Sequence, residues 1–240
     1  MSQPSLPPPD LLARQAAWLA AARQRVLRRV GIARRRRVLD LACGFGAVTR
    51  ELVRRSGSLV VAVDRRQEAL ARGGDAFEKA ARVAADAARL PFADASFDLV
   101  YCQFALLWLR AEAAVAGEIH RVLWPGGVLV TLEPDYGGMI EHPPETAARE
   151  LWLAALARSG ADPTIGRRLP GLLAAAGFGV RVDLLERLEP PAAARFEFLR
   201  QLPLTDEERQ ALAAIEKADR RTADADRVAH LPVFVITAAK

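Results

Sequence analysis

Five short apolar runs, Val38–Leu41, Leu59–Val63, Val83–Ala85, Leu99–Cys102 and Val128–Leu132, recur between residues 38 and 132 of this chain. Each has the length of a buried strand, and helical or loop sequence separates one from the next. Strand and helix in repeated alternation point to a parallel sheet covered on both faces. Two later runs, Val180–Leu185 and Val233–Thr237, bracket a polar helical segment from Thr205 to about Arg227. The expectation is a seven-strand α/β sheet with helices on both faces, an N-terminal helix and a helical insertion after the fifth strand.

The flanking segments divide by pattern. Ser5 to Asp10 contains three consecutive prolines and predicts an extended tail. From Asp10, a plausible N-cap, Leu12, Ala16, Leu19, Val26, Leu27 and Val30 fall at helical spacings until Gly31 ends the run. Beyond Pro134, helices are predicted over Glu145–Arg158 and around Arg167–Ala176, the latter stopped by Gly177. Residues 1–30 thus read as a tail and cap helix, and 31–240 as the main domain with its insertion over about 134–176.

Half of the 240 residues are hydrophobic and a quarter charged, which suits a globular core and excludes a disordered chain. No uncharged run approaches the ~18 residues of a membrane span. The N-terminus has no basic leader region, and Arg14 interrupts the apolar stretch behind it. Two cysteines, Cys43 and Cys102, make neither a disulfide framework nor a metal site. A cytoplasmic protein with reduced thiols and no membrane partner is expected. The net charge is +5, yet residues 1–37 alone hold nine arginines against one aspartate. That end could face an anionic partner such as RNA, or a membrane surface, or be a solvated helix face with the run Arg34 to Arg37. The near absence of lysine beside abundant alanine favours the solvated face.

The chemistry concentrates at the strand ends. The stretch from Val38 through Asp40, Ala42, Cys43, Gly44, Phe45 and Gly46 to Thr49 carries a buried strand into an acid, then a glycine turn, then a helix. A dinucleotide loop wants a third glycine, and here Ala47, Val48 and Thr49 follow Gly46. An acid four residues before Gly44 suits a ligand bearing a cation better than a pyrophosphate. Asp64 closes the second strand, where a carboxylate can accept from both ribose hydroxyls. Asp86 lies at the third strand end, able to accept from an adenine amino group while the Ala87 N–H donates to a ring nitrogen. A helix end, Pro125-Gly126-Gly127, and another strand complete the series.

Taken together, these pieces resemble the class I S-adenosylmethionine-dependent methyltransferases, in particular their small-molecule, methyltransferase-11-like branch. The resemblance spans about residues 36–134. It implies a Rossmann-like sheet, mostly parallel with an antiparallel last strand, and S-adenosyl-L-methionine as cofactor with S-adenosyl-L-homocysteine as product. It further implies that Asp40, Gly44 and Gly46 contact the methionine part, Asp64 the ribose, and Asp86 with Ala87 the adenine. Ala42 stands where the family more often has its first glycine. Gln103, closing the fourth strand, is assigned to the cofactor side and borders an acceptor pocket between the N-terminal helix and Glu133–His142.

A sulfonium methyl group is already activated, so positioning supplies most of the rate and no fixed catalytic motif is required. Any general base is expected after the fifth strand, where Glu133, Asp135, Tyr136 and His142 are the candidates, Tyr136 first. The pair Gly137-Gly138 reads as a hinge for that segment. Asp98 reads as a strand-start residue, His120 as structural, Trp108 as packing that borders the pocket, and both cysteines as small pocket-wall residues. No metal site is expected. The acceptor is expected to be a small molecule. The alternatives are an RNA-modifying methyltransferase using the basic N-terminal end, and a catalytically silent S-adenosylmethionine-binding protein.

Overall fold

The computed structural model describes residues 6–185 and 194–240, so the start of the expected tail, through Ser5, lies outside the described residues. Helix begins before the expected Asp10 cap. The first helix, α1, spans Pro9–Trp18, with Pro9 at the first helical position, where a missing N–H costs nothing. Asp10 sits in that first turn instead, at the positive end of the helix dipole. The single helix predicted to Val30 is two helices: α1 gives way at the fully buried Leu19 to α2, Ala20–Arg29. At this break the Ala16 carbonyl accepts from Arg23 Nη1 at 2.8 Å.

The remaining elements alternate as expected. They are β1 (Arg37–Leu41), α3 (Thr49–Ser56), β2 (Leu59–Asp64), α4 (Gln67–Arg72), β3 (Ala80–Ala84), β4 (Phe97–Gln103), α5 (Glu112–Val122) and β5 (Leu123–Pro134). After them come β6 (Ile140–His142), α6 (Arg149–Arg158), α7 (Ile165–Ala175), β7 (Gly179–Leu184), α8 (Ala194–Arg200), α9 (Asp206–Asp219), β8 (Val228–His230) and β9 (Val233–Ala239). Seven strands form one sheet in the order β3-β2-β1-β4-β5-β9-β7. The first five run parallel, and β9 is antiparallel to both of its neighbours, β5 and β7.

Alternate residues of the central strands feed two separate cores, which is why these strands read as unbroken apolar runs. Leu39, Leu41, Val100 and Leu129 join the core under α5, α6 and α7. Val38, Leu99, Tyr101, Val130 and Leu132 join the opposite one, with Leu19, Val26 and Leu27 of the N-terminal helices. Asp98 serves the sheet, as read: its carboxylate accepts from the Arg36 and Arg37 N–H groups at 2.7 and 3.0 Å.

Several details depart from the expectation. The third strand starts at Ala80 rather than Val83. Strand β5 begins at Leu123 and runs through the Pro-Gly-Gly predicted as a turn, with a register shift opposite Phe97–Leu99 absorbing it. The helix expected from Thr205 to Arg227 stops at Asp219. Its start carries a capping box, with Glu208 N–H donating to Thr205 and Thr205 N–H to Glu208. The residues beyond it form β8, which pairs antiparallel with β6 in a two-stranded ribbon that the sequence reading lacks.

Much of the N-terminal arginine content has structural partners. Arg23 is 3% exposed. Arg29 pairs with Asp183 at 2.6 Å, Arg14 pairs with Glu197, and Arg35 donates to the Val30 and Asp98 carbonyls.

Candidate active site

Strand order reverses between β1 and β4, and in open α/β sheets the crevice outside the carboxyl ends at such a point takes the ligand. A cavity of about 390 Å³ lies there. Asp40, Ala42, Cys43, Gly44, Asp64, Asp86 and Ala87 line one part of it, from the ends of β1, β2 and β3. Leu12, Gln15, Phe104, Trp108, Tyr136, Trp152 and Phe198 line the other, from α1, the β4 end, the β5 end, α6 and α8. Gln103 stands among the lining residues of the β4 end.

The first part is built from local sequence. Asp40, 3% exposed, accepts from Thr49 Oγ at 2.6 Å across the turn. Burial pushes its carboxyl up to about 7; Thr49 and Arg23 oppose the rise and Asp64 adds to it. Ala42 has a φ of 55°, a left-handed conformation that costs a non-glycine residue about 1–2 kcal/mol. Asp64 braces the turn, accepting from the Gly44 N–H at 2.9 Å and the Arg66 N–H at 2.8 Å. Each carboxylate oxygen keeps lone-pair capacity for a further donor. Asp86 is exposed and accepts from the Ala88 N–H at 2.8 Å, while the Ala87 N–H donates to no group among the described residues.

One residue of the cofactor set lies outside the cavity lining. Gly46 does not line the cavity; its φ is 80°, and a Cβ there would meet Phe77 Cε1 at 2.8 Å. It is glycine for close packing behind the loop.

The second part is apolar and assembled from distant segments. Tyr136 stacks on Trp152 with ring centroids 4.7 Å apart, and Trp18 meets Phe104 edge-on at 6.1 Å. Tyr136 is 6% exposed, and burial with the nearby Glu133 charge raises its phenol far above the ordinary value. The tyrosine therefore stays protonated. Glu133 is fully buried and does not line the cavity. Its Oε1 accepts from the Ala105 and Leu106 N–H groups at 3.2 and 3.1 Å and from Thr131 Oγ at 3.2 Å. It thereby fixes the segment after β4 that walls the pocket. Burial pushes its carboxyl up to about 7.

Two catalytic candidates lie outside the cavity lining. Asp135 does not line the cavity; it is 3% exposed and ion-paired with Arg167 at 2.5 Å. His142 lies in the β6 ribbon, paired with Val228, and does not line the cavity either. The Gly137-Gly138 pair is a packed turn rather than a hinge, since Cβ atoms there would crowd Thr164, Arg167 and Asp135. Cys102 is no pocket-wall residue; its Sγ faces Glu133 Oε1 at 4.0 Å. His120 packs edge-on against Phe178, away from the cavity.

The sequence reading missed Trp152, Phe198 and Arg23. Only Arg23 carried a signal: it lies four residues from Leu19 and from Leu27, on the apolar stripe itself. It donates to Glu51 through Nε and Nη2 at 2.9 and 2.6 Å and to Gln103 Oε1 at 3.1 Å. Among the described residues, no cluster of His, Cys, Asp and Glu is arranged to hold a metal ion.

Comparison with known proteins matches this geometry. Residues 39–131 match the family model of the methyltransferase domain. The demethylmenaquinone methyltransferase of Mycolicibacterium paratuberculosis is 41% identical over 116 residues, 48% of this chain and 47% of that protein. The sterol 24-C-methyltransferase ERG6B of Gibberella zeae is 34% identical over 110 residues, 43% of this chain and 29% of that protein. The chain thus spans less than half the length of either relative. The S-adenosylmethionine-dependent methyltransferase of Mesorhizobium loti superposes with a TM-score of 0.56 at 24% identity, covering 91% of this chain and 98% of that one. That likeness carries the fold alone.

Proposed function

We propose, from the match of residues 39–131 to the methyltransferase-domain family model, that this chain is an S-adenosylmethionine-dependent methyltransferase acting on an apolar, ring-bearing small molecule. The observation that carries the reading is a buried carboxylate, Asp40, and an aromatic wall, Tyr136 with Trp152, in one cavity. A carboxylate held out of water gains from a cation beside it, which the methionine ammonium supplies. Asp64 would take the ribose hydroxyls, and Asp86 with the Ala87 N–H the adenine edge. Gly44 permits close approach of the backbone.

S-adenosylmethionine supplies a methyl group on a cationic sulfur, which leaves as the neutral thioether of S-adenosylhomocysteine. The residues of this chain bind, orient and exclude water. Helices α1 and α8 cover the acceptor side, with Leu12 and Phe198 facing the cavity. Tyr136 offers a ring face and a protonated hydroxyl to the acceptor. The apolar lining is in keeping with the named acceptors of the two relatives, a demethylmenaquinone and a sterol. The structural pairing of Arg14, Arg23, Arg29 and Arg35 weighs against the RNA alternative. Among the described residues no helix is long and apolar enough to cross a membrane. The two free cysteines suit a cytoplasmic setting, which is part of this reading.

The test is incubation with methyl-labelled S-adenosylmethionine and, in parallel, a lipid extract and total RNA. Label entering the organic phase is the expected result. Label confined to RNA would overturn the small-molecule reading, and no label in either despite calorimetric binding would favour a silent cofactor-binding protein.

A further inference from the structure

Gln103 closes β4 at the point where the two parts of the cavity meet, and its carboxamide is held from behind. Its Oε1 accepts from Arg23 Nη1 at 3.1 Å and from the Tyr101 hydroxyl at 2.6 Å. A guanidinium only donates, so the amide cannot be turned around without placing N–H against N–H. Burial keeps the Tyr101 phenol protonated, so it too is a donor to this oxygen. Arg23 is fixed in turn by Glu51 on α3 and by the Ala16 carbonyl. With the oxygen pinned, the Nε2 group has no partner among the described residues, and it is not one of the sealed, unsatisfied polar atoms. It is left to the cavity that Gln103 lines.

We propose that the Gln103 N–H₂ is the specificity-determining donor for the acceptor molecule, selecting a substrate that presents a hydrogen-bond-accepting oxygen on its apolar ring body. Arg23 and Tyr101 are positioning residues that act through it. This rests on the acceptor reading above, and it moves Gln103 from the cofactor set to the acceptor. Phe104, Trp108 and Trp152 add apolar surface to the same lining, which also carries Gln15, Arg110, Tyr136 and Gln201; Gln103 is set apart from these polar groups by a carboxamide whose orientation is fixed from behind. A donor-only group on the same ring would meet two N–H groups head-on and leave both unpaired, a penalty that such sites convert into discrimination.

The probes are 1-tetralone, a bicyclic ketone that only accepts, and 1-naphthylamine, a similar bicycle that presents N–H donors. Binding is measured by calorimetry on the full chain saturated with S-adenosylhomocysteine. The ketone should bind at least ~10-fold more tightly to the native chain. In Gln103→Glu, which keeps an oxygen for Arg23 and Tyr101 but replaces the donor by an acceptor, the preference should invert, while S-adenosylhomocysteine affinity stays within about threefold. Tyr101→Phe, which removes one of the two groups pinning the amide, should narrow the preference several-fold without moving the thermal midpoint by more than a few degrees. An unchanged preference in Gln103→Glu, with both probes still bound, overturns the role of Gln103 alone. Loss of S-adenosylhomocysteine affinity in that variant returns Gln103 to the cofactor set and overturns the proposal. Failure of the native chain to take up either bicycle, with S-adenosylhomocysteine bound, sinks the ring-bearing acceptor reading and this proposal with it.

Discussion

The two parts of the cavity are built on different principles. The part lined by Asp40, Gly44, Asp64 and Ala87 is polar, draws on residues 40–88, and is braced by hydrogen bonds of Asp40 and Asp64 to the turns at the ends of β1 and β2. The part lined by Leu12, Phe104, Tyr136, Trp152 and Phe198 is mostly apolar, draws on segments more than a hundred residues apart, and is braced by Glu133 and by the contacts of Arg23 and Tyr101 with Gln103. A common ligand can be held by local backbone geometry, because turns at strand ends present N–H groups and carboxylates at fixed offsets. A variable acceptor is shaped by packing, and packing comes from whichever segments meet. Substitution should therefore separate the two parts: one class of variant loses the cofactor and keeps the fold, while the other loses stability and keeps cofactor affinity.

The largest separation is expected from Trp152→Ala. Trp152 is 5% exposed and stacked on Tyr136. Truncating a buried tryptophan costs about 3–5 kcal/mol, so unfolding by denaturant should show a loss of that size. S-adenosylhomocysteine affinity, measured below the new midpoint, should change little; a parallel collapse of both would mean that the two parts are one cooperative site.

Asp64→Ala should do the reverse. It removes the acceptor for the Gly44 and Arg66 N–H groups and the ribose contact, a loss of charge-assisted bonds worth on the order of 1.5–3 kcal/mol. Calorimetry should show S-adenosylhomocysteine binding weakened by roughly tenfold to a hundredfold, with less damage to stability than Trp152→Ala causes.

Titration sharpens the contrast further. Asp40 and Glu133 both have carboxyls pushed up to about 7 by burial, Asp40 in the cavity lining and Glu133 holding the segment after β4 that walls it. Between about pH 4 and 7 the folded chain binds more protons at these groups than the unfolded chain, so ligand-free stability should fall as pH rises through that window. Cofactor affinity should run the other way. The ammonium needs Asp40 ionised, among Thr49, Arg23 and Asp64, so affinity should drop by up to about tenfold per pH unit below 7. Glu133→Gln should flatten the stability profile and leave the pH dependence of cofactor binding in place. Loss of that binding dependence in Glu133→Gln would show that the two carboxylates titrate as one system.

The smallest effect is expected at Ala42, whose φ of 55° suits glycine. Ala42→Gly should relieve strain and give back about 1 kcal/mol or less, since glycine also loses more chain entropy on folding. A thermal midpoint raised by a few degrees with unchanged affinity is the outcome to check; a lowered midpoint would show that the alanine methyl packs usefully against its neighbours.

What was legible follows the same division. Asp40, Asp64, Asp86 and the glycine turn could be read because strand, acid and turn lie within a dozen residues of one another, and periodicity marks the strand end. Arg23 was hidden in plain view, grouped with the exposed arginines although its spacing from Leu19 and Leu27 put it on the buried stripe. Asp135 and His142 follow β5 at the right distance in sequence, but the chain turns there: Asp135 goes to Arg167 and His142 into the β6 ribbon. Trp152 and Phe198 sit in helices whose local pattern says only that one face is apolar.

The sequence by itself determined the strand–helix alternation, the location of the carboxylates at three successive strand ends, and the resemblance they carry. These are short-range properties, set by side-chain period, turn chemistry and residue order. Tertiary structure alone decided which distant faces close over the cleft, that Gly46 serves packing and Glu133 the loop after β4, and that Gln103 is clamped by Arg23 from behind. The reason is physical. Burial and partner choice depend on what arrives from elsewhere in the chain, and a buried arginine reads like a solvated one until its carboxylate and its carbonyl are seen beside it.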